Sequence, residues 1–235
     1  TNPTCGVADA HDVAGVYDIV CSGGDAGANY TISSYVKGTL TVTSMPIQKM
    51  TLKSIGLRDG WILESSETSG IGGTFDSTAT TFKLGDEVGD KQYRTILAFN
   101  TGGLPDNAVI IRVTLKIKKQ GQVGTNPFTI LGGLRVDIRK PFFGTSSGLI
   151  ASDFQATANR VRAGIFKATP VSNWYTAIIG SAGTPYINLI GNTQFRLYFA
   201  KDDNDDMGAD YMRFFSGNYL NAAARPTLII EYTVP

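Results

Sequence analysis

The stretch AVIIRVTLKIKK, residues 108–119, decides the fold class of this chain. Apolar and polar side chains alternate along it, which is the period of a β-strand that buries one face and exposes the other. Its positions divide into an apolar set and a polar set, namely Ile111, Val113, Leu115 and Ile117 against Arg112, Thr114, Lys116 and Lys118. The stretch therefore predicts a half-buried strand.

The same alternation recurs along most of the chain. In QFRLYFA, residues 194–200, the apolar set Phe195, Leu197 and Phe199 opposes the set Gln194, Arg196 and Tyr198. Similar patterns mark GTLTVT (38–43), KQYRTILAF (91–99), GLRVDIRK (133–140), DYMRFF (210–215) and PTLIIEYTV (226–234). The 27 glycines supply turns between these short segments. We therefore predict an all-β protein, an antiparallel β-sandwich.

Charge and hydropathy limit the partners. Among the 235 residues, Lys+Arg number 21 and Asp+Glu 20, a net charge of +1. This balance gives no global basic field, so we expect neither nucleic acid nor an anionic membrane as a partner. Apolar runs such as 228–230 fall far short of the roughly 20 residues that span a bilayer, which predicts no membrane insertion. The chain begins at Thr1 without a signal peptide, and we expect a processed or excised part of a longer protein.

A change of composition near TSMPIQK, residues 43–49, predicts a domain boundary. We expect a small β module at 1–45, a linker at 46–50 and a large domain at 51–235. Cys5 and Cys21 both lie in the small module, which is too short for an independent core without additional links. A disulfide between them would stabilise it by roughly 3 kcal/mol and imply export to an oxidising compartment. Two buried thiols are the alternative.

The small module resembles a known family. Residues 15–43, GVYDIVCSGGDAGANYTISSYVKGTLTVT, are similar to the C-terminal part of an MBG domain, a β-grasp-like module of secreted and surface-anchored bacterial proteins. The elements NYT, YVKG and GTLTVT follow one another in the expected order. The first half of such a module is missing, and this leaves an unpaired strand edge that can pair with another chain. The resemblance implies an extracellular or cell-surface location.

The large domain, residues 51–235, resembles the DNRLRE-type β-jelly-roll family, which includes carbohydrate-binding modules of secreted enzymes. The similar segments are DGWILESSETSGIGGT (59–74), TTFKLGD (80–86), YRTILAFNTGGLPDNAVIIRVTLKIKK (93–119), TQFRLYF (193–199) and RPTLIIEY (225–232). The resemblance implies a jelly roll. It constrains function less, because the same sandwich serves as sugar binder, spacer or adhesive surface.

The residue inventory argues against an enzyme. His11 is the only histidine and lies in the small module, so the large domain has no base for a Ser/His/Asp or Cys/His nucleophile. A glycosidase would need two carboxylates on opposite sides of a bond. The pair Glu64 and Glu67, and the turn containing Asp86 and Asp90, are of a kind common on solvated loops. We predict a non-catalytic protein.

The stretch AKDDNDDMGADYMRF, residues 200–214, is the candidate metal site. Asp202, Asn204 and Asp206 reproduce the first, third and fifth ligand spacing of a calcium loop. However, Gly208 comes one place late and Arg213 stands where the bidentate glutamate belongs, so this is not an EF-hand. Calcium binding, a solvated turn and a catalytic acid cluster remain the alternatives.

Sugar binding requires exposed aromatic rings that stack on a pyranose, with side chains that donate hydrogen bonds. The predicted ligand-binding residues are Trp61, Tyr175, Arg196, Tyr198 and Tyr211. In SNWYTAII, residues 172–179, alternation turns one of Trp174 and Tyr175 inward, and we predict Trp174 as the core residue. The alternative for Arg196 and Tyr198, which share one face of a strand, is a structural ladder.

Two functions follow from these observations. The first is a cell-surface or secreted module that binds polysaccharide or a cell-surface glycan, or mediates adhesion. The alternative is a structural subunit of an extracellular fibre or surface layer. In the second case residues 1–45 would supply strands to a neighbouring copy of the chain.

Overall fold

The computed structural model of the protein describes residues 1–7 and 10–235. They form two compact units, Thr1–Pro46 and Ile47–Pro235. The first unit is an antiparallel sheet in the order β1-β2-β3, built from β1 (Thr4–Val7), β2 (Gly15–Ser22) and β3 (Gly38–Val42). Cys5 and Cys21 lie directly opposite each other on β1 and β2 and form a disulfide. The predicted disulfide is therefore confirmed.

The described residues of the first unit form no buried core. None of the described residues between Thr1 and Pro46 is buried. Leu40 and Val42 of β3 alternate as predicted, and Tyr17 and Ile19 of β2 alternate likewise, but each is only partly covered. The Cys5–Cys21 disulfide and the strand ladders are therefore the main interactions that hold this unit together.

The second unit contains twelve strands in one connected sheet. These are β4 (Gln48–Lys53), β5 (Gly60–Glu64), β6 (Gly72–Asp76), β7 (Thr81–Glu87), β8 (Lys91–Asn100), β9 (Val109–Val123), β10 (Leu134–Arg139), β11 (Arg160–Phe166), β12 (Trp174–Ile179), β13 (Asn192–Phe199), β14 (Asp210–Phe215) and β15 (Thr227–Thr233). A short helix α1 (Pro127–Ile130) and four 3-10 turns, Gly56–Arg58, Ala151–Phe154, Thr184–Tyr186 and Ala222–Ala224, lie between strands.

The predicted linker at residues 46–50 needs correction. Residues 48–50 already belong to β4, which pairs antiparallel with β15. The reason lies in the sequence QKMTLK, because its alternation turns Met50 and Leu52 against the core of the second unit. This strand is therefore an integral part of the large unit.

Strand β9 closes the sheet. It is long enough to pair with β12 along one edge and with both β15 and β14 along the other. Hydrogen bonding consequently runs around a ring of eight strands, β9-β12-β11-β10-β13-β8-β7-β14 and back to β9. The prediction of an antiparallel all-β fold is confirmed. The predicted separation into the two layers of a sandwich is not evident, because the eight strands pair around a closed barrel.

The barrel is filled by the inward face of its strands. Val113, Leu115 and Ile117 of β9 are fully buried, as the alternation predicts. Ile111 was predicted for the same face but is 51% exposed. The pairing of β9 with β15 shifts register between Glu231 and Tyr232, and this irregularity gives the inward position to Ile110. No helix in the part of the chain that the structure describes is long and apolar enough to cross a membrane.

Candidate functional site

A basic surface covers the outside of β4, β15, β9 and β12. Strand pairing places Lys53, Thr227, Lys116 and Thr176 side by side, one from each strand in that order. Since alternate residues of a strand point to opposite faces, and Leu115 and Ile117 of β9 point inward, this row points outward. We call the surface formed by Lys53, Lys116, Lys118, Trp174, Thr176 and Thr227 the Trp174 face.

The indole of Trp174 lies among three ammonium groups. The Nζ atoms of Lys116, Lys118 and Lys53 are 5.2, 5.9 and 6.0 Å from the ring centroid. These distances are within the range of cation–π attraction. Trp174 is itself only partly buried, so the face combines a reachable aromatic ring with positive charge.

The positive charge of this face is not neutralised by the protein. None of the ion pairs between described residues involves Lys53, Lys116 or Lys118. Lys53 Nζ instead donates to the hydroxyl of Thr227 at 2.8 Å. Burial lowers the pKa of Lys53, and the charges of Lys116 and Arg225 lower it further. The field around Lys53 is therefore positive, which favours an anionic partner.

Further charges lie two rows from the Lys53–Thr227–Lys116 row, beyond the uncharged row of Thr51, Ile229 and Thr114. There Lys49 of β4 and Arg112 of β9 flank Glu231 of β15, each directly opposite its neighbour. Glu231 is the acidic residue of that row and stands between two cations. This more distant row thus adds one net positive charge to the same sheet face, separated from the Trp174 face by the uncharged row.

Trp174 and Tyr175 exchange the orientations that were predicted for them. Tyr175 is 3% exposed and stacks on Phe128 in the core, with the ring centroids 5.1 Å apart. Its register partner on β9 is the inward Ile117, whereas Trp174 pairs with the outward Lys118. Tyr175 is therefore a core residue, and the predicted role in ligand binding is wrong for this position.

Trp61 and Tyr211, two further predicted ligand residues, come together around a lysine. Lys83 Nζ lies 5.0 Å from each of their ring centroids and 4.8 Å from that of Tyr93. It also donates to the Tyr93 hydroxyl at 2.9 Å and lies 3.7 Å from Glu87. Burial, followed by Glu87, raises the pKa of Tyr93. The charge of Lys83 is thus balanced by Glu87 within this cluster, so the cluster offers an anionic ligand no unpaired positive charge.

Arg196 is a structural residue in this fold. It is 6% exposed, and its guanidinium donates to Asp137 at 2.7 Å. It also donates to three backbone carbonyls of the covering segment, those of Asp153, Phe154 and Ala156. The prediction of Arg196 as a sugar-binding donor is therefore corrected, because every direction of its fork faces the protein.

Tyr198 belongs to the same network. Its hydroxyl donates to Oδ1 of Asp137 at 3.1 Å, and the Arg94 guanidinium stacks 5.1 Å from its ring centroid. Burial raises the pKa of Tyr198, and the charge of Asp137 adds to the effect. The structural alternative considered for Arg196 and Tyr198 therefore describes their observed contacts.

The aspartate loop between β13 and β14 does not assemble the predicted calcium ligands. Asp202 and Asp206 are exposed, and Asp206 Oδ1 accepts the backbone N–H of Gly208 at 2.7 Å. Asn204 turns towards the start of β14, where Nδ2 donates to Oδ2 of Asp210 at 3.3 Å. Within the described residues, no group of three or more His, Cys, Asp and Glu side chains is arranged to hold a metal ion.

Two carboxylates from the β7–β8 segment neighbour this loop, namely Asp90, which accepts the Met207 N–H, and Asp86, which accepts the Asp210 N–H. Burial raises the pKa of Asp86 to about 7, and the charges of Asp210 and Asp203 contribute to the rise. Asp86 is fully buried, so it is not the residue of a solvated turn that its sequence context predicts. Asp86, Asp90, Asp203 and Asp210 therefore lie near one another at this end of β7 and β14, whereas Glu87 contacts Tyr93 and Lys83.

No protein-family model matches this chain, and a search of curated proteins found no significant relative. The resemblances to the MBG and DNRLRE families remain predictions.

The sequence reasoning missed the lysines of the Trp174 face. Lys116 and Lys118 were visible as the polar face of one strand, and Trp174 as one of two tryptophans. What links them is the pairing of β12 with β9 and of β4 with β15, which joins segments distant in the chain. The available signal was the alternation in SNWYTAII, because a Trp174 that points outward would have been recognised as an exposed aromatic residue.

Proposed function

We propose that this chain is a non-catalytic extracellular module whose large unit binds an anionic polysaccharide. The observation that supports this proposal is the Trp174 face, where one indole is surrounded by three lysines without acidic partners. Aromatic rings bind the apolar face of a pyranose, and ammonium groups bind the carboxylates or sulfates of an acidic sugar. A neutral polysaccharide would contact only the indole of Trp174 and would gain nothing from the three lysines.

The dimensions of the face suit an extended ligand. The row from Lys53 to Thr176 crosses four strands, which at the usual strand spacing of about 4.8 Å spans roughly 14 Å. Such a row accommodates a short run of sugar units, with the partly exposed Thr176 beside Lys116 supplying a hydroxyl. The Thr227 hydroxyl is buried and holds Lys53 in place, because it accepts from Lys53 Nζ and donates to the Arg225 carbonyl. The surface is a sheet face and not a deep cavity, so we expect modest affinity per site.

Two further proposals, on the fold of the large unit and on the location of the protein, belong with this function. We propose that the large unit is a jelly roll of the DNRLRE type, which its similar segments and its antiparallel strands support. The Cys5–Cys21 disulfide supports an oxidising, extracellular environment.

Affinity electrophoresis on a panel of polymers tests this function. The panel contains a polyuronate, a sulfated glycan, a neutral glucan and double-stranded DNA, each at low and high salt. We expect retardation by an acidic polysaccharide that weakens with salt, and none by the neutral glucan. Equal binding to DNA and to the acidic glycans would contradict recognition of a sugar, and no retardation by any polysaccharide would contradict the proposal.

Charge-reversal variants locate the site. Lys118→Glu places a negative charge beside Trp174 and is expected to abolish retardation. Lys201→Glu makes the same change at an exposed position in the loop after β13 and serves as the matched control. If both variants lose binding to the same extent, net charge and not the Trp174 face accounts for the interaction.

A second candidate function is favoured by the first unit. Its described residues include no buried side chain, and β1 and β3 are both edge strands of a three-stranded sheet. Sheets of this size need another surface to bury their apolar residues, and open edges favour strand addition. As the alternative we propose a fibre or surface-layer subunit that pairs through residues 1–46. Its first test is whether particle size grows with protein concentration.

A further inference from the structure

Two buried carboxylates face each other where β14 begins. Asp210 of β14 is directly opposite Asp86 of β7, and the two residues are 4% and 0% exposed. Oδ1 of Asp86 accepts the backbone N–H of Asp210 at 3.2 Å, whereas Oδ2 of Asp86 is buried without a hydrogen-bond partner. A buried carboxylate oxygen without a donor or a cation is strongly destabilising.

Asn204 adds a third side chain to this pair. Its Nδ2 donates to Oδ2 of Asp210 at 3.3 Å and to Oδ2 of Asp206 at 2.8 Å. Its Oδ1 is buried and has no partner. The loop that contains Asn204 is held against this end of the barrel by Asp90, which accepts the backbone N–H of Met207 at 3.0 Å. Unpartnered oxygens therefore belong to the residue directly opposite Asp210 and to the side chain that donates to Asp210. The Asp210 carboxylate itself accepts the backbone N–H of Thr125 on Oδ1.

We propose that Asp86, Asn204 and Asp210 bind a calcium ion. The available atoms are carboxylate and carboxamide oxygens, which hard cations prefer and which do not suit zinc. Calcium tolerates the irregular geometry of such a loop better than magnesium, which demands a near-ideal octahedron.

The site holds two carboxylates and one amide, in agreement with the absence of a three-carboxylate cluster among the described residues. With so few charged ligands, we expect an affinity of the order of 10⁻⁴–10⁻³ M, typical of extracellular modules.

This ligand set differs from the one that spacing alone predicts. Asp202 and Asp206 lie on the exposed side of the loop, whereas Asp86 comes from a strand more than a hundred residues earlier in the chain. Asn204 is common to both sets. The inference is independent of the polysaccharide proposal, because none of these residues belongs to the Trp174 face.

Thermal unfolding with millimolar calcium, with millimolar magnesium and with chelator tests the site. For the intact chain we expect calcium to raise the melting temperature by roughly 3–8 °C over chelator, with a smaller effect of magnesium. Asp86→Asn is expected to abolish this rise. Asp202→Asn removes one exposed charge from the same loop, and this variant should still show the rise in melting temperature with calcium.

Asn204→Asp provides an independent test in the opposite direction. A third carboxylate should tighten calcium binding about tenfold in a titration followed by calorimetry. The same variant should melt below the native chain in chelator, since like charges are then crowded. Failure of calcium to shift the native chain, an equal shift by magnesium, or retention of the shift in Asp86→Asn would each overturn the proposal.

Discussion

Trp174 on β12 lies directly opposite Lys118 on β9, with Lys118 Nζ 5.9 Å from the centroid of the indole. The same pairing turns Tyr175 into the core opposite Ile117. The contact between β12 and β9 therefore closes the ring of strands and also brings an aromatic ring to the lysines of the outer face. Fold and proposed binding surface depend on one strand pairing.

Replacement of Arg196 should affect stability and not ligand binding. Arg196→Met leaves the buried Asp137 carboxylate without its ion pair and removes three hydrogen bonds to the covering segment. We expect the free energy of unfolding to fall by about 3–5 kcal/mol in urea titrations. Arg196→Lys keeps the positive charge but lacks the planar guanidinium that makes several hydrogen bonds at once. Its free energy of unfolding should therefore fall by less than that of Arg196→Met. A selective loss of polysaccharide binding in folded Arg196→Met would contradict this assignment.

The stability of the large unit should depend on Asp153 between about pH 4 and pH 6. Burial raises the pKa of Asp153 from 3.8 to about 6, although the Ile150 N–H and Arg196 oppose the rise. The folded state then keeps a proton that the unfolded state releases, so stability falls as pH rises through this window. Asp153→Asn does not titrate and should gain up to about 3 kcal/mol relative to the native chain by pH 7. A pH-independent difference between the two proteins would refute the prediction.

Removal of the disulfide should loosen the first unit selectively. Without Cys5–Cys21, the sheet β1-β2-β3 loses its covalent link, and a loop of this length contributes about 3 kcal/mol. The double variant Cys5→Ser, Cys21→Ser should show faster hydrogen exchange across β2. Exchange in β8 and β13 of the second unit serves as the internal control and should be unchanged. Unaltered protection in β2 would mean that other contacts hold this unit.

Self-association through the first unit should depend on the partly buried face of its sheet. Leu40→Lys places a charge on that face of β3, whereas Thr39→Lys places the same charge on the exposed face next to it. Sedimentation velocity at rising concentration should show smaller species for Leu40→Lys only. If the native chain remains monomeric at all concentrations, the fibre alternative is wrong.

Much of the barrel could be predicted from local patterns. Phe195, Leu197 and Phe199 alternate in the sequence and are all fully buried, because a strand with one face on a core must repeat with period two. The same rule fails at Ile111, where an irregular pairing with β15 changes the face. Such a register shift depends on a partner strand far along the chain and leaves no local mark.

The candidate sites were less predictable, for the same reason. Arg196 lies on the polar side of its strand, yet the segment containing Phe154 covers it and turns it into a buried anchor. Asp86 reads as part of a polar turn, yet its partner Asp210 comes from β14. Spacing in the sequence predicts which residues share one face of a single strand. It does not reveal which outward residues meet across strands.

Calorimetric titration of the native chain and of Trp174→Ala with an acidic oligosaccharide tests the central claim most directly. Trp174 lies on the outer face, so the variant should fold, and its circular dichroism checks this. We expect saturable binding by the native chain and an affinity at least about tenfold lower in Trp174→Ala, the loss of a stacking contact worth about 1.4 kcal/mol or more. Equal affinity in both proteins would contradict the assignment of the Trp174 face as the binding site.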